Sequence, residues 1–123
     1  MKIEVSNGEL IDKVTILEIK LVQITEPDKI LNIRREYEVL GPMSKPLVSQ
    51  IGDLYPALAA INRRLWDIED RIRDFERKGD FGPGFIDAAR SVYRLNDERA
   101  AIKREINRLT GSHLVEEKSY SDY

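Results

Sequence analysis

Apolar residues recur at alternating steps of three and four along two long stretches of the chain, Leu47 to Phe75 and Phe85 to Leu109. This spacing places the apolar side chains of each stretch on one face of an amphipathic helix. The loop between the two stretches, Gly79 to Gly84, is short and rich in glycine. Two long helices joined by so short a loop fold back on each other, so the pattern predicts an antiparallel helical hairpin over 46–78 and 84–110.

The N-terminal part of the chain predicts a further helix over 6–24. Ser6 and Glu9 have the Ser-x-x-Glu spacing of a capping box, in which each side chain bonds the backbone N–H of the other residue. Apolar residues follow on one broad stripe, which suggests that this helix is buried on two sides. Residues 2–5 alternate between polar and apolar and predict a short extended segment before the helix.

Glycine and proline residues divide the middle of the chain. We predict a second helix over 26–40, because Gly41-Pro42 is a typical helix end. The helix over 46–78 contains Pro56, which is expected either to kink it or to split it near Asp53. Because the apolar pattern crosses Pro56 without losing phase, the prediction is one kinked helix.

Together these elements predict an all-α fold, an up-down bundle of about four helices in one domain spanning 1–123. A chain of 123 residues is long enough to bury one core without disulfides or metals. Residues 112–123 form a C-terminal tail without a helical stripe. We expect its first half to lie against residues 2–5 and its end to be loose.

Two charged residues lie where the pattern calls for apolar ones. Arg99 occupies a position of the apolar stripe of the last helix, and Glu18 lies within the widest apolar arc of the first helix. A charge removed from water is costly unless it is paired. We therefore hypothesise that Arg99 and Glu18 form an ion pair inside the bundle, and that Asn62 completes its hydrogen bonds.

Three interpretations of Arg99 stay open at this point. The ion pair sets the register between helices, as polar residues in coiled-coil cores do. Alternatively, Arg99 binds an anionic ligand in a cavity between helices. A cavity volume above roughly 300 Å³ would favour this interpretation. In the third interpretation the side chain reaches solvent by snorkelling.

Few other residues suggest chemistry. His113 is the only histidine and cysteine is absent, so the sequence predicts no metal centre, no cofactor and no catalytic triad. Tyr55 and Trp66 share a side of the third helix away from its apolar seam. We expect them to pack on the first or second helix, with a dimer interface as the alternative.

Charge and composition narrow the classes of partner. The 20 basic and 22 acidic residues leave a net charge of −2, which provides no overall attraction to nucleic acid or anionic lipid. The arginines of the last helix are a candidate phosphate-contacting stripe, but acidic residues interleave among them, as on ordinary solvated helices. No stretch has the length and hydrophobicity of a signal peptide or a membrane span. The absence of cysteine permits a reducing compartment, so we expect a cytoplasmic location.

Four segments of the chain resemble an uncharacterised family of small bacterial helical proteins, a domain of unknown function. These segments are Lys2–Lys13 (KIEVSNGELIDK), Leu65–Asp70, Ala89–Asp97 and Leu114–Tyr120. The resemblance covers nearly the whole chain. It implies a stand-alone helical unit and supplies no activity and no site residues.

The sequence favours a non-enzymatic helical protein that binds a protein partner or itself, the latter as a homodimer. The alternative is a protein or enzyme that binds an anionic small molecule in the bundle core around Arg99 and Glu18. Weak nucleic-acid binding by the arginines of the last helix is the third hypothesis. The sequence contains no motif from which a reaction can be read.

Overall fold

Four α-helices make up most of the computed structural model, which describes residues 1–123. They are α1 (Asn7–Gln23), α2 (Pro27–Ile51), α3 (Leu54–Lys78) and α4 (Pro83–Thr110). No strand is present, and the segments before α1 and after α4 have no regular secondary structure. The predicted all-α bundle is therefore confirmed.

The end of α2 differs from the prediction. The helix does not stop at Leu40 but continues through Gly41-Pro42 as far as Ile51. Ile51 packs in a buried cluster with residues from the other three helices. This burial offsets the hydrogen bonds lost at the two prolines inside the helix. The predicted break at Gly41-Pro42 is therefore wrong, because tertiary packing outweighs the local signal.

The chain turns instead at Gly52, which ends α2 with a φ of +51°. A glycine is favoured in this left-handed region, because a side chain would be strained there. Two residues later α3 begins, so Pro56 lies in its first turn, where a backbone N–H has no helical partner in any case. The prediction of one kinked helix over 46–78 is therefore wrong. The chain instead divides near Asp53, which is the other outcome expected from Pro56.

Two clusters of buried apolar side chains hold the helices together. The larger cluster takes one residue from each helix: Ile11, Ile51, Leu58 and Ile106. The smaller cluster joins α3 to α4 through Ile61, Leu65 and Leu95. Near the loop of the hairpin, Phe75 and Phe85 meet edge to face with their ring centres 6.4 Å apart. These contacts confirm the predicted antiparallel hairpin.

Helix α1 packs against the open end of this hairpin and approaches α4 closely at Gly8. A Cβ atom at Gly8 would lie 2.5 Å from the carbonyl oxygen of Lys103, so a larger residue requires a helix to move. The Gly8 N–H donates to Asn107 Oδ1 at 2.6 Å. Ser6 Oγ accepts from the Glu9 N–H at 3.1 Å, so half of the predicted capping box forms. The carboxylate of Glu9 accepts from Lys103 instead, which ties the start of α1 to α4.

Candidate functional site

The polar face of α1 carries a buried carboxylate, Asp12, that is bound by two other helices. Its side chain is only 2% exposed. Arg99 of α4 donates to it through Nε at 2.9 Å and also through Nη2. Asn62 of α3 donates through Nδ2 to Asp12 Oδ1 at 2.9 Å and to Thr15 Oγ1 at 2.8 Å. Paired contacts of this kind between guanidinium and carboxylate are strong and fix the relative orientation of both groups.

Glu18, the predicted partner of Arg99, lies outside this network. Asp12 takes its place, so the predicted Glu18–Arg99 pair is wrong, although Arg99 and Asn62 do meet on a carboxylate of α1. Asp12 and Glu18 are six positions apart along α1, a rise of about 9 Å. At that distance the Glu18 carboxylate accepts a hydrogen bond from the Tyr55 hydroxyl. The face of α1 that packs on α4 therefore decides which carboxylate reaches Arg99.

Asp12 does leave a signal in the sequence. Gly8, Asp12 and Thr15 recur at steps of four and three, so small and polar side chains share one face of α1. A face of this kind within an otherwise apolar helix indicates a close helix contact with a polar layer. The structure has both features at this position.

The charged and polar groups around Asp12 keep its carboxylate in the ionised form. Burial alone would raise the pKa of Asp12, but the hydrogen bonds from Arg99 and Asn62 and the nearby positive charges outweigh it and hold the pKa below 3.8. The hydrogen bond to Asp12 also raises the pKa of Arg99. Lys103 Nζ lies 3.9 Å from Asp12 and 2.6 Å from Glu9. No buried side-chain polar atom lacks a hydrogen-bond partner, as a structural polar layer requires.

Arg99 also borders an open basic cavity between α4 and the C-terminal tail. The cavity has a volume of about 230 Å³, which is below the range of roughly 300–1,000 Å³ that holds drug-sized ligands. Its charged lining residues are Arg99, Lys103, Arg104, Lys118 and Glu116. Four of these five residues are basic, so the cavity is suited to a small negatively charged group.

The C-terminal tail runs back beside α4 and places two carboxylates on this basic lining. Glu116 Oε1 lies 3.5 Å from Lys103 Nζ and accepts a hydrogen bond from Ser6 at 3.2 Å. Glu117 forms an ion pair with Arg104. The two glutamate side chains are 53% and 65% exposed. Water screens contacts at such exposure, so both contacts are weak.

Both ends of the tail are also held. At its start, His113 bonds Glu4, which places it against residues 2–5 as predicted, and this hydrogen bond raises the pKa of the imidazole above 6.5. At its end, the Tyr123 hydroxyl donates to Asp97 at 2.7 Å, and its ring meets Tyr93 with the centroids 5.2 Å apart. The end of the tail, which the sequence predicts to be loose, is therefore bound to α4.

The two predicted interface aromatics lie on α3 three helical turns apart. Tyr55 packs beside the larger core cluster, and its hydroxyl is bound to Glu18. Burial, followed by the hydrogen bond to Glu18, raises the pKa of Tyr55. Trp66 is half-buried. Tyr55 is thus engaged within the fold, and a dimer interface at Tyr55 and Trp66 stays a prediction.

Other candidate chemistry is sparse. Two arginines of the predicted phosphate-contacting stripe are ion-paired within the chain, Arg104 with Glu117 and Arg108 with Glu105. No group of three or more metal-ligating side chains converges. None of the four helices combines the length and the hydropathy needed to cross a bilayer. The basic cavity and the adjoining ion-pair layer are therefore the candidate site.

The fold and this site define an all-α bundle with a buried polar layer beside a basic cavity. The chain belongs to a family of unknown function, DUF6165, whose model matches residues 1–123. No match was found among curated proteins or among solved structures. The membership in an uncharacterised family that the sequence resemblance implies is thereby confirmed.

Proposed function

We propose that this protein is a non-enzymatic binding module that recognises an extended acidic segment of a protein partner. The binding surface is the α4 basic surface, which we define as Arg99, Lys103 and Arg104. The observation that carries the proposal is that the chain's own tail lies beside α4 with two carboxylates on these cations. An extended acidic peptide therefore has the right shape and charge for this surface.

The size of the cavity argues against a metabolite as the ligand while the tail is in place. Its volume of about 230 Å³ is smaller than a drug-sized molecule needs. The buried layer beneath it holds Arg99 in place through Asp12, so part of the surface is organised before a partner arrives.

Release of the tail leaves positive charge to be paired. Arg104 has Glu117 as its only ion-pair partner. Lys103 loses one of its three acidic partners when Glu116 leaves. A partner segment with two successive acidic residues restores both contacts. Because the tail contacts are exposed and weak, their exchange for equivalent contacts costs little.

Fluorescence anisotropy of the full-length protein tests this proposal. The probe is a labelled peptide with the sequence of residues 112–123. The attached tail competes at an effective concentration in the millimolar range, so the wild-type protein should bind the peptide weakly. A Glu116→Gln/Glu117→Gln protein should bind it roughly threefold to tenfold more tightly, because its own tail competes less.

Matched variants on α4 separate this surface from general charge effects. In the Glu116→Gln/Glu117→Gln protein, whose own tail lacks the carboxylate that pairs with Arg104, a further Arg104→Gln change should weaken the binding of the peptide roughly threefold. Arg108→Gln should not weaken it, because Arg108 is paired with Glu105 and does not line the cavity. A peptide with glutamine in place of both glutamates should bind roughly threefold to tenfold more weakly. Equal affinities of the two arginine variants, or no gain in the double-glutamine protein, would overturn the proposal.

A second copy of the chain is a specific candidate for the partner, since it carries the same acidic tail. Exchange of tails between two copies would produce a homodimer. Light scattering at increasing protein concentration detects such a dimer, and the Glu116→Gln/Glu117→Gln protein should remain monomeric. We place this function in the cytoplasm, whose reducing conditions suit a chain without cysteine.

A further inference from the structure

A second cavity lies where α1, α2 and α3 meet, apart from the tail and the α4 basic surface. Its volume is about 540 Å³, within the range that holds small ligands. We call it the Glu18 pocket. Its charged and aromatic lining residues are Glu18, Tyr37, Glu38, Lys45 and Tyr55.

Glu18 is a half-buried carboxylate in this pocket without a cationic partner. Its Oε1 accepts a hydrogen bond from the Tyr55 hydroxyl, which is its one hydrogen bond within the chain. Lys45 borders the same cavity but forms no ion pair with Glu18. A carboxylate that is partly removed from water gains from an opposite charge brought close to it.

Two tyrosines border the pocket on different helices. Tyr55 is held by its bond to Glu18, and since burial and this bond raise its pKa, the phenol stays protonated as the donor. The ring of Tyr37 lies beside Gly41, where a Cβ atom would be 3.6 Å from the ring. Aromatic rings attract cations through their electron-rich faces, and aromatic side chains surround bound organic cations in many proteins.

We propose that the Glu18 pocket binds a small organic cation, an ammonium or guanidinium group that pairs with Glu18 between the two tyrosines. Of the other charged groups that face the pocket, Glu38 adds a negative charge and Lys45 a positive one. Two carboxylates and one amine leave the lining with one net negative charge. This inference is independent of the acidic partner proposed for the α4 basic surface.

An NMR titration of the full-length protein with methylguanidinium chloride tests the inference. At constant ionic strength, the backbone amide signals of Glu18, Gly41 and Tyr55 should shift and saturate. N-Methylurea has nearly the same shape without the charge, so it serves as the matched probe and should produce no saturable shift. Equal binding of both compounds, or no saturable shift with methylguanidinium, would overturn the proposal.

Two variants test the role of the carboxylate. Glu18→Gln keeps an oxygen that accepts from Tyr55 but removes the charge, and it should weaken methylguanidinium binding roughly tenfold or more. Glu38→Gln removes an exposed carboxylate from the same cavity and should change the affinity about twofold at most. If Glu18→Gln binds as tightly as the wild type, the proposal is wrong.

Variants of Tyr37 on α2 test the same pocket independently, so the proposal can still be checked if Glu18→Gln does not fold. Tyr37→Leu should weaken binding severalfold, while Tyr37→Phe keeps the ring and should retain it. N-Acetylarginine amide then separates the two sources of the cation. Tighter binding than methylguanidinium indicates an arginine side chain of a partner, and equal or weaker binding indicates a free cation. If Tyr37→Leu and Tyr37→Phe bind equally well, the tyrosine ring has no part in the site and the proposal fails.

Discussion

Replacing Arg99 by methionine tests whether the polar layer around Asp12 holds the bundle together. Methionine is long and uncharged, so Asp12 keeps Asn62 as its hydrogen-bond donor, with Lys103 Nζ 3.9 Å away. Removing one partner of a buried ion pair costs about 3–5 kcal/mol. Because Lys103 compensates in part and the Arg99 side chain is 28% exposed, we expect the lower end, a loss of about 3 kcal/mol in the free energy of unfolding.

Urea unfolding followed by circular dichroism at neutral pH measures this loss. The corresponding fall in melting temperature is about 10 °C for a chain of this size. Arg108→Met is a matched control on the same helix, because Arg108 is ion-paired with Glu105 at an exposed position. The control should unfold at nearly the same urea concentration as the wild type, because water screens its ion pair.

The pH dependence of the free energy of unfolding provides a second test. In the wild type, the lowered pKa of Asp12 contributes stability that is present above 3.8 and is lost as the pH falls through the folded-state pKa. In Arg99→Met we expect the effect of burial to outweigh the remaining hydrogen bond, so that the pKa of Asp12 rises above 3.8 and protonation relieves the cost of the buried charge. The difference between the two proteins should therefore shrink as the pH falls towards about 4. A loss below about 1 kcal/mol, or a loss independent of pH, would refute the reasoning.

Two further predictions concern the start of α1 and the tail. Gly8→Ala should lower the free energy of unfolding by about 1–3 kcal/mol, because its Cβ would overlap the Lys103 carbonyl. Gly41→Ala, with its nearest atoms 3.6 Å away, should be neutral or stabilising, and equal losses would contradict the close contact. In proton NMR, His113 should titrate at a higher pH than in a Glu4→Gln variant. Because its folded-state pKa is raised, the stabilising contact is complete below 6.5 and is lost as the pH rises through the folded-state pKa; the same titration in both proteins would contradict it.

The helical hairpin could be predicted because its information is local. The spacing of apolar residues reports which face of a helix is buried, and the glycine-rich loop is too short for any course other than a reversal. The end of α2 could not be predicted in this way. Gly41-Pro42 is a strong local stop signal, and the burial of Ile51 against three other helices outweighs it. A contact of this kind is invisible to a local pattern.

The candidate site was predictable in part. The cost of a lone charge indicates that Arg99 needs a carboxylate, and Asn62 does join it there. Glu18 was the wrong carboxylate, because the apolar arc around it does not show which helix faces it, and in the fold its partner is Tyr55 of α3. The stripe of Gly8 and Asp12 on α1 is the local feature that indicates the right face.

The amino-acid order alone therefore specifies a helical chain, the turn of its long hairpin and the demand of Arg99 for a negative partner. These properties depend on residue spacing over a few turns and on the solvation of one charge. The choice of Asp12, 87 positions from Arg99, and the placement of the acidic tail on α4 come from the assembled helices. Both depend on how helices cross and which distant surfaces meet, and no local interaction encodes that geometry.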